Sequence, residues 1–237
     1  MILEEDTLQT IINATSVANT FKIEPLLISK KNIIGLDAAL HVAIFVTKDL
    51  DIGCEEIGIL SPSSLNNKLK LVDDNSVCTI KYDDETSYAK YIYIKSKKFN
   101  IEYRCANTRA IKVPKSLGNN TEDYYQINID EETVVDLNKC KTAMKGKLTS
   151  KNITVMCDNN QIKYKLYGDD NNESLVYDGG FVELVDDYED SVNFIYTYPI
   201  DYFFNMIKSC EDKFYMTRNG MIHFTHSDID VFLIPHK

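Results

Sequence analysis

The stretch TYPIDYFFNMIKSCEDKFYM (197–216) decides how this sequence is read. A proline opens it where a helix begins, because a helix does not need that N–H. Apolar residues then recur three and four apart, a turn follows, and alternation resumes as a strand. Much the same pattern stands earlier, as LSPSSLNNKLKLVDDNSVCT (60–79). A shift of 137 residues brings Pro62 onto Pro199, Leu65 onto Tyr202, Leu69 onto Met206 and Val77 onto Phe214. Just upstream, Ile57 meets Phe194 and Ile59 meets Tyr196.

A second pair supports the first. EEDTLQTIINATSVA (4–18) and DEETVVDLNKCKTAM (130–144) match at an offset of 126, with Leu8 on Val134, Ile11 on Leu137, Ala14 on Cys140 and Ala18 on Met144. Both open with acids, which suit a helix N-terminus. Both carry the spacing of an amphipathic helix. The growth in offset puts about eleven extra residues between the helices of the second half, and the polar run GDDNNES (168–174) is their expected home.

Each half therefore reads as helix, strands, helix, strands. The strand candidates of the first half are LLISKKNIIGLDA, HVAIFV, VCTIKY, YAKYIYIK and FNIEYRCA. Those of the second are NITVMC, IKYKLYG, FVELV, FIYTY, KFYMT, MIHFTH and DVFLIP. Short gaps imply hairpins, YDGGF (177–181) among them, and so mainly antiparallel sheets. The fold class is α+β: a duplicated two-helix, antiparallel-sheet domain. The expected division is 1–113, a linker at 114–124 in the turn-rich stretch KVPKSLGNNTEDY, and 125–237.

The net charge of −10 over 237 residues gives the chain as a whole no attraction to nucleic acid or anionic membranes. Any basic surface must be a local island. The six cysteines are scattered with no CxxC, so buried, reduced thiols are expected. The acidic start MILEEDTLQT lacks the positive n-region of a secretory signal. No apolar run approaches the roughly 18 residues of a membrane span. An intracellular, soluble chain is expected. P-loop, GxGxxG, GxSxG and HExxH motifs are absent. His223 and His226 would face opposite sides of a strand. DDYED (186–190) and DDE (83–85) read as solvated loops. No enzyme, metal or cofactor is expected.

The duplicated unit resembles the DNA sliding clamps, the proliferating-cell-nuclear-antigen and T4-phage type of processivity factor. Two local features add to it. IIGLDAALHVAIFV (33–46) is similar to the family's strand–Asp–turn–His-Val–strand segment, and VFLIPHK (231–237) to its last strand and Pro-Lys tail. The resemblance implies a homotrimer closing into a pseudo-sixfold ring, with helices lining the hole and sheets outside. It implies duplex DNA through the ring, bound without sequence preference, with a replicative polymerase and a clamp-loader ATPase as further partners, and no membrane. The location would be cytoplasmic, in the host cell if the source is a phage or another virus. The alternative is a viral clamp-fold factor working as monomer or dimer on one DNA face, or a non-catalytic scaffold.

Site residues follow from the same resemblance. DNA-facing candidates are Lys139, Lys141, Lys145 and Lys147 of the second-half helix, with Lys68, Lys70 and Lys208 near the other two. At about 100° per residue, Lys139 points away from the Val134/Leu137/Met144 stripe, and Lys141 must snorkel at its edge. Only Asp136 opposes them in that helix from Thr133 onward, while the first helix (6–19) carries no basic residue. The partner-peptide pocket would be bordered by His41, Val42, Lys115, Leu117, Ile234 and Pro235. The subunit interface would pair a strand near Ala110, Ile111 and Val113 with one near Leu175 and Tyr177 of the next copy.

Overall fold

The computed structural model describes residues 1–73, 75–83, 85–113, 122–144, 151–167, 174–185, 192–210 and 213–236. The chain forms two compact units, Met1–Ser116 with Ser227–Val231, and Leu117–His226 with Phe232–Lys237.

The first unit runs α1 (Glu5–Thr20), β1 (Leu26–Ser29), β2 (Asn32–Leu36), β3 (Val42–Thr47), β4 (Glu56–Ile59), α2 (Pro62–Leu69), β5 (Val77–Tyr82), β6 (Ala89–Lys95) and β7 (Asn100–Arg104). Its strands lie in the order β3-β2-β1-β4 and, separately, β5-β6-β7, with every pairing antiparallel. α1 and α2 pack on each other. The buried side of α1 is Ile11, Ala14, Val17 and Ala18, the three-and-four spacing that its sequence carries. LLISKKNIIGLDA is two strands rather than one. The Ser29 hydroxyl accepts from the amides of Lys31 and Asn32, closing a two-residue turn.

The second unit runs β8 (Tyr125–Asn128), α3 (Glu131–Ala143), β9 (Asn152–Asp158), β10 (Gln161–Tyr167), β11 (Ser174–Leu184), β12 (Phe194–Pro199), α4 (Ile200–Ser209), β13 (Lys213–Met216) and β14 (Ile222–His226). Its ladder order is β12-β9-β10-β11-β8-β13-β14. The last strand, β15 (Ile229–Leu233), divides between the two units.

The duplication is visible in connectivity. The order β4-β1-β2-β3 of the first unit recurs as β12-β9-β10-β11 in the second. β8 pairs with β13, and its counterpart in the first unit is a single bridge, Ile2 to Thr79. The 126 offset holds, since buried Thr7, Ile11 and Ala18 match buried Thr133, Leu137 and Met144. The 137 offset does not hold throughout. Buried Leu65 and Leu69 match Phe203 and Ile207, and buried Cys78 and Ile80 match Phe214 and Met216, which are offsets of 138 and then 136. α4 is two residues longer than α2 and its turn into the next strand is shorter, so the register slips and returns.

Two further expectations change. YDGGF is no hairpin turn: it lies inside β11, where Gln161 faces Phe181 and Lys163 faces Asp178. The extra residues make a bulge, and Gly180 supplies a φ of 90° that a side chain would strain. Residues 168–173 lie outside the described residues. Much of the extra length instead shows as longer strands, with 7, 7, 11 and 6 residues for β9 to β12 against 4, 5, 6 and 4 for β1 to β4.

All six cysteines are free thiols. Burial pushes the Cys54, Cys78 and Cys157 thiols up to about 11 and Cys105 up to about 12. Native protein at pH 8 is therefore expected to react with a disulfide reagent far more slowly than unfolded chain. A raised pKa favours the folded state fully below the unfolded thiol value near 9.0 and is lost as pH climbs through about 11. The urea midpoint should fall across that window. An unchanged midpoint would contradict the burial assigned to these thiols.

Candidate nucleic-acid and partner-binding surfaces

α3 begins at Asp130, whose carboxylate accepts from the Thr133 amide at 2.7 Å. Bonds from the Thr133 side chain and amide hold that carboxyl below its usual range. The helix buries Thr133, Leu137 and Met144, while Val134 is half-buried. Lys139 thus faces solvent, as its angle requires, but its ammonium lies 2.6 Å from Asp136. Lys141 snorkels: its ammonium sits 4.5 Å from the centre of the Phe204 ring and 3.1 Å from Asp201 of α4. Asp201 is a second opposing charge, brought in by helix packing that the spacing within α3 does not reveal. Lys145 and Lys147 lie outside the described residues. Beside Lys139 the outer face of α3 carries half-exposed Val135 next to Asn138 and Thr142, with exposed Glu131 and Glu132 in its first turn.

Lys208 is exposed in the last turn of α4, where a cation suits the helix dipole. In the first unit, Lys68 donates to Ser64 and lies 5.5 Å from the Tyr103 ring centre, and Lys70 is exposed just past α2. α1 shows acids and amides: Glu5 and Asp6 in its first turn, then Gln9 donating to Asn13. Asp6 takes the ammonium of Lys48 at 2.7 Å.

The turn between β2 and β3 is organised by Asp37, which is 3 % exposed. Its carboxylate accepts from the amides of Ala39, His41 and Val42, so the turn is held from within. This fixes half-buried His41 in place and holds Leu40 outward at φ 61°, an exposed apolar side chain that patterning does not single out. Val42 is fully buried and serves the core of the first unit. Ile234 and Pro235, in the second unit, are half-buried. Next to them, His236 donates its amide to the Thr197 carbonyl and sets its ring on Asn152. Lys115 and Leu117 lie outside the described residues.

Of the interface candidates, Ala110 ends a 3-10 turn (Thr108–Ala110) and residues 111–113 are in no strand. The Asn107 side chain accepts from the Arg109 amide and closes that turn, which breaks the strand expected there. Ile111 is buried against Gly58, and Val113 is half-buried. Leu175 and Tyr177 do lie in a strand. Over Ser174–Asp178, β11 pairs with β10 on one side, and β8 joins it only at Val182–Leu184. That stretch is an open edge within the second unit, among the described residues. His223 bonds to Asp123 and His226 to the Ser209 carbonyl, and the described residues hold no cluster suited to a metal ion.

A unit of two paired helices and antiparallel strands, written twice along one chain, is the DNA sliding-clamp fold. Solved clamps are similar over the full length. One is the PCNA of A. fulgidus, solved with the C-terminal region of FEN-1 bound, at 14% identity and TM-score 0.61, covering 97% of this chain and 96% of that one. Another is the PCNA2–PCNA3 complex of Sulfolobus tokodaii, at 12% identity and TM-score 0.63, covering 100% and 99%. No protein-family model and no curated protein sequence matches the chain. No helix among the described residues is long and apolar enough to cross a membrane.

Proposed function

We propose that the chain is a sliding clamp that tethers a replicative DNA polymerase to duplex DNA. Three copies would close head to tail into a ring of six similar units, with residues 1–113 and 125–237 as its two domains and 114–124 as linker. The observation that carries this is the repeat itself, the same strand order in both halves over a length that full clamps share. The open edge at Ser174–Asp178 supports self-association, since an unpaired edge is satisfied by a neighbouring strand. Lys139, Lys141, Lys145, Lys147, Lys68, Lys70 and Lys208 would face DNA. Contacts would go to phosphates, without sequence preference. A polymerase and a loading ATPase would dock through short peptides bordered by His41, Lys115, Leu117, Ile234 and Pro235. That the PCNA of A. fulgidus is solved with a C-terminal region of FEN-1 supports peptide docking on this fold.

Light scattering behind a sizing column, over a wide concentration range, tests the ring. The expected mass is three times 27.2 kDa. A monomer at every concentration would overturn closure and turn attention to a clamp-fold factor acting on one DNA face.

A further inference from the structure

The sheet β5-β6-β7 has two unlike faces. Cys78, Ile80, Ile92, Ile94 and Tyr103 are buried, and Tyr103 reaches the Ser61 carbonyl at the start of α2. The alternate positions point the other way. There, Lys81 pairs across the ladder with Tyr91 and Tyr91 with Arg104, while in the next row Thr79 pairs with Tyr93 and Tyr93 with Glu102. Lys81, Lys95 and Arg104 are exposed, and both tyrosine rings are half exposed, 5.8 Å apart. The turn after β6 adds exposed Lys97 and Lys98. In a chain of net charge −10, this is a concentrated cationic face. Its carboxylate, Glu102, accepts a bond from the Tyr93 side chain, and Asp83, which lines the adjoining cavity, is ion-paired with Lys90.

Beside this face lies a cavity of about 500 Å³, lined among others by Tyr88, Lys90, Tyr91, Arg104, Asn107 and Arg109. Tyr91 and Arg104 belong to both. The volume is within the range that holds small organic groups. Lys81 already sits 4.8 Å from the Tyr93 ring centre, so Tyr91 is the ring left for stacking. Rings two residues apart on a sheet, with cations on the strands beside them, suit unpaired bases and a phosphodiester chain. A duplex, whose bases are stacked inward, cannot use the rings. An acidic peptide would use the cations and gain nothing from Tyr91.

We propose that this face and its cavity bind single-stranded nucleic acid, with a base stacked on Tyr91 and phosphates on Lys81, Lys95 and Arg104. The site is separate from the helix lysines.

Fluorescence anisotropy on the full chain tests it, using labelled oligothymidylate and oligouridylate of about 12 nucleotides, a length such platforms span, against duplex of equal length. Single strands should bind more tightly than duplex. Tyr91→Ala should weaken binding about tenfold or more, and Tyr91→Phe should retain it. Lys81→Gln and Arg104→Gln should each flatten the salt dependence by about 0.7 in log–log slope. Lys22→Ala, off this sheet, controls for general charge. A preference between the two oligomers would identify DNA or RNA as the source, and either supports the site. Absent binding, preference for duplex, or full binding by Tyr91→Ala would overturn it. The mass measurement reads the ring independently of all these results.

Discussion

Phe203→Ala is expected to cost the second unit about 3–5 kcal/mol, comparable to the whole stability of many domains. Phe203 is fully buried on α4. Its ring lies 5.9 Å from Tyr164 of β10, 6.0 Å from Tyr198 of β12, 6.3 Å from Phe204 and 6.5 Å from Phe214 of β13. Truncation removes the piece shared by one helix and three strands. The gap cannot close easily, because Tyr198 is anchored by its hydroxyl to the Gly220 carbonyl and Tyr164 is wholly enclosed. Urea unfolding followed by tyrosine fluorescence reads the loss. Phe203→Leu, which keeps more of the volume, should cost distinctly less. A loss under 1 kcal/mol for Phe203→Ala would contradict this packing.

The second large effect concerns DNA. Two lysines of α3 already have carboxylates, Asp136 for Lys139 and Asp201 for Lys141, and α1 offers acids and amides. Each phosphate neutralised contributes about 0.9 to the salt slope, so a lining this compensated should bind linear duplex weakly at physiological salt. On the proposed ring, retention would then be topological. Subunits concentrated in the presence of closed circular plasmid should stay on it through a high-salt wash and be lost when the plasmid is cut. Asp201→Asn, which frees Lys141, should tighten binding to linear duplex at low salt and steepen its slope by about 0.9. Equal, salt-sensitive loss from closed and cut plasmid would refute topological retention.

Much of the architecture was legible because burial writes a period. The α1 and α3 stripes match at Thr7/Thr133, Ile11/Leu137 and Ala18/Met144, while buried Ala14 and Val17 meet half-buried Cys140 and exposed Ala143. The α2 and α4 match was read one residue out. Pro62 is the first residue of its helix while Pro199 stands just before α4, so equating the prolines shifts the faces. β8 is missing from the strand candidates although Tyr125 and Ile127 alternate with Gln126 and Asn128. Gly179-Gly180 reads as a turn in isolation, and only the ladder on both sides shows that the strand continues. Of the site, the outward aim of Lys139 and the snorkelling of Lys141 follow from helix angle. Asp201 comes from another helix, and no within-helix spacing can find it. The turn at Asp37 was readable as Asp before a strand, but its three amide bonds needed coordinates.

The bulge in β11 has a mechanical side. In the second unit, β12, β9 and β10 join β8, β13 and β14 only through this strand, which changes partner at its paired glycines. Within the ladder, a load crosses the three pairings between Val182–Leu184 and Tyr125–Ile127, with the Tyr196 and Tyr198 hydroxyls on the Arg218 and Gly220 carbonyls as a second tie. That seam, rather than the long β9–β10 zipper, is the shortest run of backbone pairing between β12 and β13 in the ladder.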